Sequence, residues 1–446
     1  METVDDNDPF DDWIMKSLKS YRHLHMFELP QPTCVIEWNE KDGICVAGCT
    51  PNVCNEILEM SIPAKLMQDS DSKTAGLTKD RDFKMLRGGF SDQPIHCLKY
   101  LRGNLPRLIV TGSHASPDLK VWQLDTETSD VIKMLSTLPG RGARRGGVRG
   151  VTQRPGYQGH VVFGATMSDL QIVDVETNEA IVTDFGKADS IVEMQFLNEN
   201  ELVTCDSQSG LINIHDLRTT SNQSEPSNLL MNDSNPGSVQ VTVDAVTATT
   251  QKDRTGQLHT GLDKAVSEST NHNQNISRTG KASWTFDLCG ASISDPSNGK
   301  DIASKKPRLD AAMATVVRLC SSGEIIISEL RNLQAPLHHV RLGDRATELE
   351  NAEMLTTKWC PTDNNLLSIS GLNGCVEIYD TSKWQQWSNS PPIVKPIFIH
   401  EGHMIGESAN QKARILCHTW HPWQSHVVMS SGSDGSLHAW DWSPVS

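Results

Sequence analysis

The sequence predicts an all-β fold: a seven-bladed β-propeller with a short N-terminal helix and a disordered insertion between two blades. Three observations lead there. The first is that KWCPTDNNLLSISGLNGCVEIYD (358–380) aligns without a gap on TWHPWQSHVVMSSGSDGSLHAWD (419–441). Trp359/Trp420, Pro361/Pro422, Ser370/Ser431, Gly371/Gly432, Gly374/Gly435 and Asp380/Asp441 are identical. The second is local: each copy reads as strand, Pro-containing turn, strand, Asn-Gly or Asp-Gly hairpin, strand. The third is number. Weaker copies of the same rhythm run over 34–62, 95–125, 160–176, 191–218 and 284–331, which makes seven. A three-stranded meander with one apolar face cannot stand alone in water, so stacked copies bury one another's faces around an axis.

The remaining elements follow in chain order. Residues 1–24 read as an acidic tail and a helix, with Glu2, Asp5, Asp6, Asp8, Asp11 and Asp12 ahead of any base. Over 11–24, Trp13, Ile14, Leu18, Tyr21 and Leu24 form one stripe, suited either to packing on the propeller or to docking a partner. The propeller then occupies 25–446. Its last repeat has three strands and stops short, so a closing fourth strand is expected from about 25–29, which would remove an open sheet edge. Residues 219–282 are rich in Ser, Thr, Asn, Gln and Gly and hold neither an aromatic residue nor a cysteine. Such a segment cannot bury enough apolar surface to offset its ordering entropy and is expected to be disordered within the propeller. A further loop is expected over 292–310, where Lys305, Lys306, Pro307 and Arg308 resemble a short nuclear-localisation patch or a solvated turn. The segment 138–150 carries Arg141, Arg144, Arg145 and Arg149 without an acid, which suits an inter-blade loop or a short RNA-binding Arg-Gly stretch.

The 446 residues carry 40 Lys+Arg against 55 Asp+Glu, a net charge of −15, so a surface coating nucleic acid is not expected. No apolar run approaches a membrane span, and the acidic start does not suit a signal peptide. The 11 cysteines are scattered and form no CxxC, which points to a reducing compartment. Cys45, Cys49 and Cys54 lie closest in sequence and read as strand residues before they read as a zinc site. His400, His403, His418 and His421 mimic an H-x2-H pair of pairs, but His403 belongs to a Gly-His step and His421 to a strand end. No nucleophile elbow, P-loop, dinucleotide fingerprint, HExxH or kinase set is present, so no catalytic residue, cofactor or metal is expected. If one surface binds a partner, the long connection before the second repeat is the choice. It places Arg81, Asp82, Phe83, Arg87 and Phe90 together, with Trp13 on the helix; Phe83 and Phe90 could equally pin that connection to the propeller.

The final repeat carries Gly402-His403, Ser431, Asp434-Gly435 and Trp440-Asp441, and this resembles a WD40 repeat. The resemblance implies a buried hydrogen-bonded tetrad of His403, Ser431, Asp434 and Trp440, with most other blades lacking one. DDWIMKSL, CVIEW, DGICVAG, NEIL, RDFK, GGFSD, LKVWQ, SDVIK, LSISGLNGCVEIYD, HTWHP and HAWDW narrow it to one WD-repeat branch, over 11–130 and 350–442, thinning through 138–310. That branch implies a non-enzymatic scaffold, mainly cytoplasmic with a nuclear pool. Its implied partners are the endonuclease subunit of the Integrator complex and its inactive paralogue, assembled before nuclear import. It also implies an alternative: a mitotic or cytoskeletal adaptor at spindle poles and the cleavage furrow, working with microtubule-associated proteins.

Overall fold

The computed structural model describes residues 9–39, 43–63, 66, 82–103, 107–124, 129–141, 147–183, 185–186, 190–218, 238–240, 283–289, 314–343, 355–371, 374–385, 391–404, 413–424 and 426–442. Helix α1 (Pro9–Ser20) runs directly into β1 (Tyr21–Glu28). Blade I is β2 (Thr33–Trp38), β3 (Gly43–Gly48), β4 (Asn55–Ser61) and β5 (Lys84–Ser91). Blade II is β6 (Cys97–Leu101), β7 (Leu108–Ser113), β8 (Ser116–Gln123) and β9 (Lys133–Leu138). Blade III is β10 (Gly150–Gln153), β11 (His160–Gly164), β12 (Gln171–Asp174) and β13 (Ala180–Val182). Blade IV is β14 (Val192–Phe196), β15 (Glu201–Asp206), β16 (Ile212–Asp216) and β17 (Ser238–Gln240). Blade V is β18 (Trp284–Cys289), β19 (Thr315–Cys320), β20 (Glu324–Glu329) and β21 (Asn332–Leu342), with β25 (Ile393–Val394) added in parallel at its edge. Blade VI is β22 (Thr356–Trp359), β23 (Leu366–Ser370), β24 (Val376–Asp380) and β26 (Phe398–His400). Blade VII is β27 (Ile415–Trp420), β28 (Val427–Gly432) and β29 (Ser436–Trp442), completed by β1.

The architecture is the seven-bladed propeller that the repeats predict. Blades VI and VII share one register: Trp359 faces Leu367 and Ser368 faces Ile378, while at the aligned positions Trp420 faces Val428 and Met429 faces Ala439. Gly374 and Gly435 both sit at positive φ (78° and 90°), the conformation their hairpins demand and a side chain resists. Closure comes from the N-terminus, in antiparallel register from Tyr21–Trp442 to Glu28–Ser436. The helix expected over 11–24 therefore ends earlier. Tyr21 and Leu24 are in β1, because pairing with β29 outweighs the helical stripe, and Leu18 is 73% exposed. The closing strand likewise starts at Tyr21 instead of about 25.

The segment 219–282 is also corrected in part. Its residues 238–240 pair with Asn213–His215 as the outer strand of blade IV; the rest lies outside the described residues, as does all of 292–310. The 138–150 loop shrinks from both ends, since Leu138 closes β9 and Gly150 opens β10; residues 142–146 lie outside the described residues.

Each blade exposes the edge of its inner strand toward the axis, and side chains satisfy or brace those edges at all seven seams. Lys99 pairs with Glu37 (2.7 Å) between blades I and II, and Gln153 bonds both N–H and C=O of Arg102 (2.8 Å each) between II and III. Arg154 donates to the Glu199 carbonyl (2.7 Å). Glu193 accepts from the Thr285 hydroxyl (2.9 Å) and Phe286 N–H (3.3 Å), and Gln195 from Leu288 N–H (3.2 Å). Asp287 accepts Trp359 N–H (2.7 Å), and Trp420 donates to the Lys358 carbonyl (3.1 Å). Trp38 donates to Thr419 Oγ1 (3.3 Å) at the closing seam. Burial pushes the Glu193 and Asp287 carboxyls up, opposed by Lys358, whose ammonium Asp287 holds in its charged form. The core is correspondingly divided. One apolar cluster lies between each pair of neighbouring blades, such as Val46, Leu58, Phe83, Met429 and Leu437 between VII and I.

Candidate interaction surface

The polar network of blade VII, buried at Trp440, Ser430 and His403 and ending on the exposed Asp434, is the place to look for chemistry. Trp440 Nε1 donates to Ser430 Oγ (3.2 Å), and Ser430 bonds His403 Nε2 (2.8 Å). His403 Nδ1 bonds Ser436 Oγ (2.6 Å), and Ser436 donates to Asp434 (2.5 Å). Only one proton order satisfies every link: Trp440 N–H, Ser430 O–H, His403 Nδ1–H and Ser436 O–H all point toward the Asp434 carboxylate. The expected tetrad is thus corrected at its serine. Ser430 carries it, and Ser431 instead donates to the Thr33 carbonyl of blade I (2.9 Å). Successive strand residues face opposite sides of a blade, so a step of one residue moves the hydroxyl from inside blade VII to the next seam. The repeat identity misleads here, because Ser370, aligned with Ser431, also faces a seam and bonds His418 of blade VII (2.7 Å). Ser436, absent from the expected set, bridges His403 and Asp434.

His400, His403 and His438 bring ring nitrogens within 4.8 Å of one another, all buried. His400 bonds Tyr21 through Nδ1 (2.8 Å) and His438 through Nε2 (3.1 Å), and both His403 nitrogens face serines. The His403 and His438 rings stack at 3.8 Å and 11°, so their in-plane lone pairs run parallel and do not converge on one ion about 2 Å from each. The trio is a hydrogen-bonded stack. His418 is bound between Ser368 and Ser370, and His421 accepts N–H bonds from Trp423 (3.1 Å) and Gln424 (2.9 Å), so the H-x2-H pairs do not meet. Burial pushes His400 and His403 well below the usual imidazole range, His418 to about 3, and His421 and His438 to about 4. Nor do Cys45, Cys49 and Cys54 gather: Cys45 is buried between blades I and II, Cys54 is exposed, and Cys49 lies 3.1 Å from Cys34.

The residues expected to bind a partner divide. Phe83 is buried, 5.7 Å from Phe27, so it pins β5 to the closing strand and offers no contact surface. Arg87 is engaged with the buried Glu59 (2.7 Å), which Arg107 of blade II also holds. Asp82 is exposed, Trp13 is half-buried, and Arg81 lies outside the described residues. Phe90 is 66% exposed.

Phe90 belongs to a wider apolar rim. The outer strands of blades I and II both begin Lys-Met-Leu (84–86 and 133–135), and both are bulged at the leucine. Glu59 and Met60 face Arg87 and Met85, leaving Leu86 extra; Val121 and Trp122 face Ser136 and Met134, leaving Leu135 extra. Met85, Leu86, Met134 and Leu135 are all exposed. The two strands are tied by Gly88 N–H to the Asp130 carbonyl (3.0 Å) and Ile132 N–H to the Gly88 carbonyl (2.8 Å). Gly89 permits that approach, since a Cβ there would stand 2.7 Å from the Ile132 carbonyl oxygen. Bulges at an edge discourage strand addition while re-aiming side chains outward. The rim therefore suits side-chain packing by a partner.

No protein-family model matches the chain. A relative from Danio rerio, named Integrator complex assembly factor WDR73, is 32% identical over 444 residues, covering 98% of this chain and 97% of its own length. The chain belongs to the WDR73 family. Members bearing the same name from Xenopus laevis and Homo sapiens are each 29% identical, over 437 and 441 residues. The fold is a scaffold-type propeller, and no helix among the described residues is long and apolar enough to cross a membrane.

Proposed function

We propose that this chain is a non-enzymatic scaffold for assembling the Integrator complex. Its partners are the endonuclease subunit and that subunit's inactive paralogue, held in the cytoplasm before nuclear import. The observation that carries the reading is the end-to-end similarity to relatives named Integrator complex assembly factor. The commitment of Glu193, Asp287 and His418 to seams between blades, and of His403 to two serines, supports the absence of catalysis. The partner contact falls on the rim of blades I and II, at Phe90 with Met85, Leu86, Met134 and Leu135. Nothing in the fold or in the relatives' names favours the mitotic adaptor. A tagged chain pulled from cytoplasmic extract should retain the endonuclease subunit and its paralogue in stoichiometric yield. A Met85→Asp/Phe90→Asp/Met134→Asp variant should lose both at least tenfold while eluting as the wild type does. Retention of neither by the wild type refutes the assembly role; equal retention by the variant refutes the rim.

A further inference from the structure

Among the 11 cysteines, Cys34 and Cys49 stand apart by geometry. Their sulfurs are 3.1 Å apart, both half-buried, one at the start of β2 and the other just past the end of β3. The strands create this approach. Thr33 faces Gly48 and Ile36 faces Val46, so Cys34 and Val35 share the space opposite Ala47 in a bulge. Thr33 Oγ1 fixes that bulge by accepting from the Val35 and Ala47 N–H groups (3.2 and 3.3 Å) and donating to the Ala47 carbonyl (2.7 Å). A bulge re-aims a side chain, and here it turns Cys34 onto Cys49. Forming a bond requires the sulfurs to close by about 1 Å.

We infer that Cys34 and Cys49 form a peroxide-responsive dithiol that closes reversibly into a disulfide. The inference does not rest on the assembly role. Cys49 is the attacking thiol. The hydrogen bond from Cys34 lowers its proton affinity, whereas burial pushes Cys97 and Cys417 up to about 12 and Cys289 to about 11. The Cys49 thiolate attacks one oxygen of hydrogen peroxide, the O–O bond breaks, and the departing hydroxide takes up a proton to leave as water. Cys34 sulfur then attacks the Cys49 sulfenic sulfur, its thiol proton accompanies the released hydroxyl as a second water, and the S–S bond forms. Two thiols and one peroxide give one disulfide and two waters; a reduced dithiol of the thioredoxin class, or dithiothreitol in vitro, returns the pair by exchange. The bond would lock β2 to β3 beside the closing seam, since the carbonyl of the neighbouring Thr33 accepts Ser431 of blade VII.

The test uses the full chain, reduced, then exposed to hydrogen peroxide under native conditions, alkylated and mapped by mass spectrometry. The expected product is a linked Cys34–Cys49 peptide pair, a mass about 2 Da lower, formed before oxidation of the exposed Cys54 and reversed by dithiothreitol. Cys34→Ser should leave a sulfenic acid on Cys49 that dimedone traps. Cys49→Ser should slow peroxide consumption at this site at least tenfold. Oxidation of Cys54 first, or full alkylation of both Cys34 and Cys49 after peroxide, would overturn the proposal, and neither readout depends on a variant folding.

Discussion

Acidification should destabilise this propeller, and the structure sets the scale. His418, His421 and His438 are buried and neutral, with proton affinities pushed down to about 3, 4 and 4. In the unfolded chain each takes a proton near pH 6.5, so the unfolded state binds more protons and stability falls as pH drops below 6.5. At pH 5 each such histidine costs about 2 kcal/mol, from 1.36 kcal/mol per unit. Three give about 6 kcal/mol, and His400, His403, His114 of blade II and His215 of blade IV are displaced in the same direction by burial. Glu193 and Asp287 act oppositely, their carboxyls being raised by burial, and so does Asp441. Burial raises its carboxyl to about 6, so the folded state holds that proton more tightly and regains about 1–1.5 kcal/mol at pH 5. For His418, His421, His438 and Asp441 together the loss is about 5 kcal/mol, comparable with a whole domain's stability. Urea unfolding followed by tryptophan fluorescence should show it as a falling midpoint between about pH 6.5 and 5, and His418→Gln should flatten the decline by about 2 kcal/mol. A free energy of unfolding that stays within about 1 kcal/mol across that range would refute the reasoning.

Two further outcomes are expected. Ser430→Ala strands both Trp440 Nε1 and His403 Nε2 in the interior and should cost about 2–4 kcal/mol by urea denaturation, against about 1 kcal/mol for Ser431→Ala; equal costs would return the tetrad to Ser431. Removing residues 1–28 deletes β1 and bares the β29 edge, with Trp440 and Trp442 beside it, so the truncated chain should associate on size-exclusion chromatography. A monodisperse monomer would show that blade VII closes without its N-terminal strand.

What the sequence by itself determined is the repeat. Asn-Gly and Asp-Gly hairpins, alternating apolar positions and Trp at inner-strand ends are local signals, and they sufficed for seven blades and their order. Closure at the N-terminus is shown by the pairing of β1 with β29. The outer strands were not legible. Lys84–Ser91 and Ala180–Val182 have little apolar alternation, being half-exposed edges whose strand character comes from a paired neighbour. Tyr21 shows the same dependence: its helical stripe yields to pairing with Trp442.

The candidate rim was legible only in part. Phe90 is exposed and Phe83 is core, and hydropathy alone cannot separate two phenylalanines in one loop. Ser430 and Ser431 are adjacent and chemically identical, and only the pleat decides which faces His403. The Leu86 and Leu135 bulges, the Cys34–Cys49 approach and the histidine stack all join residues that the chain keeps apart or sets out of phase. Periodicity records which face a residue favours, while tertiary structure alone decides what that face meets.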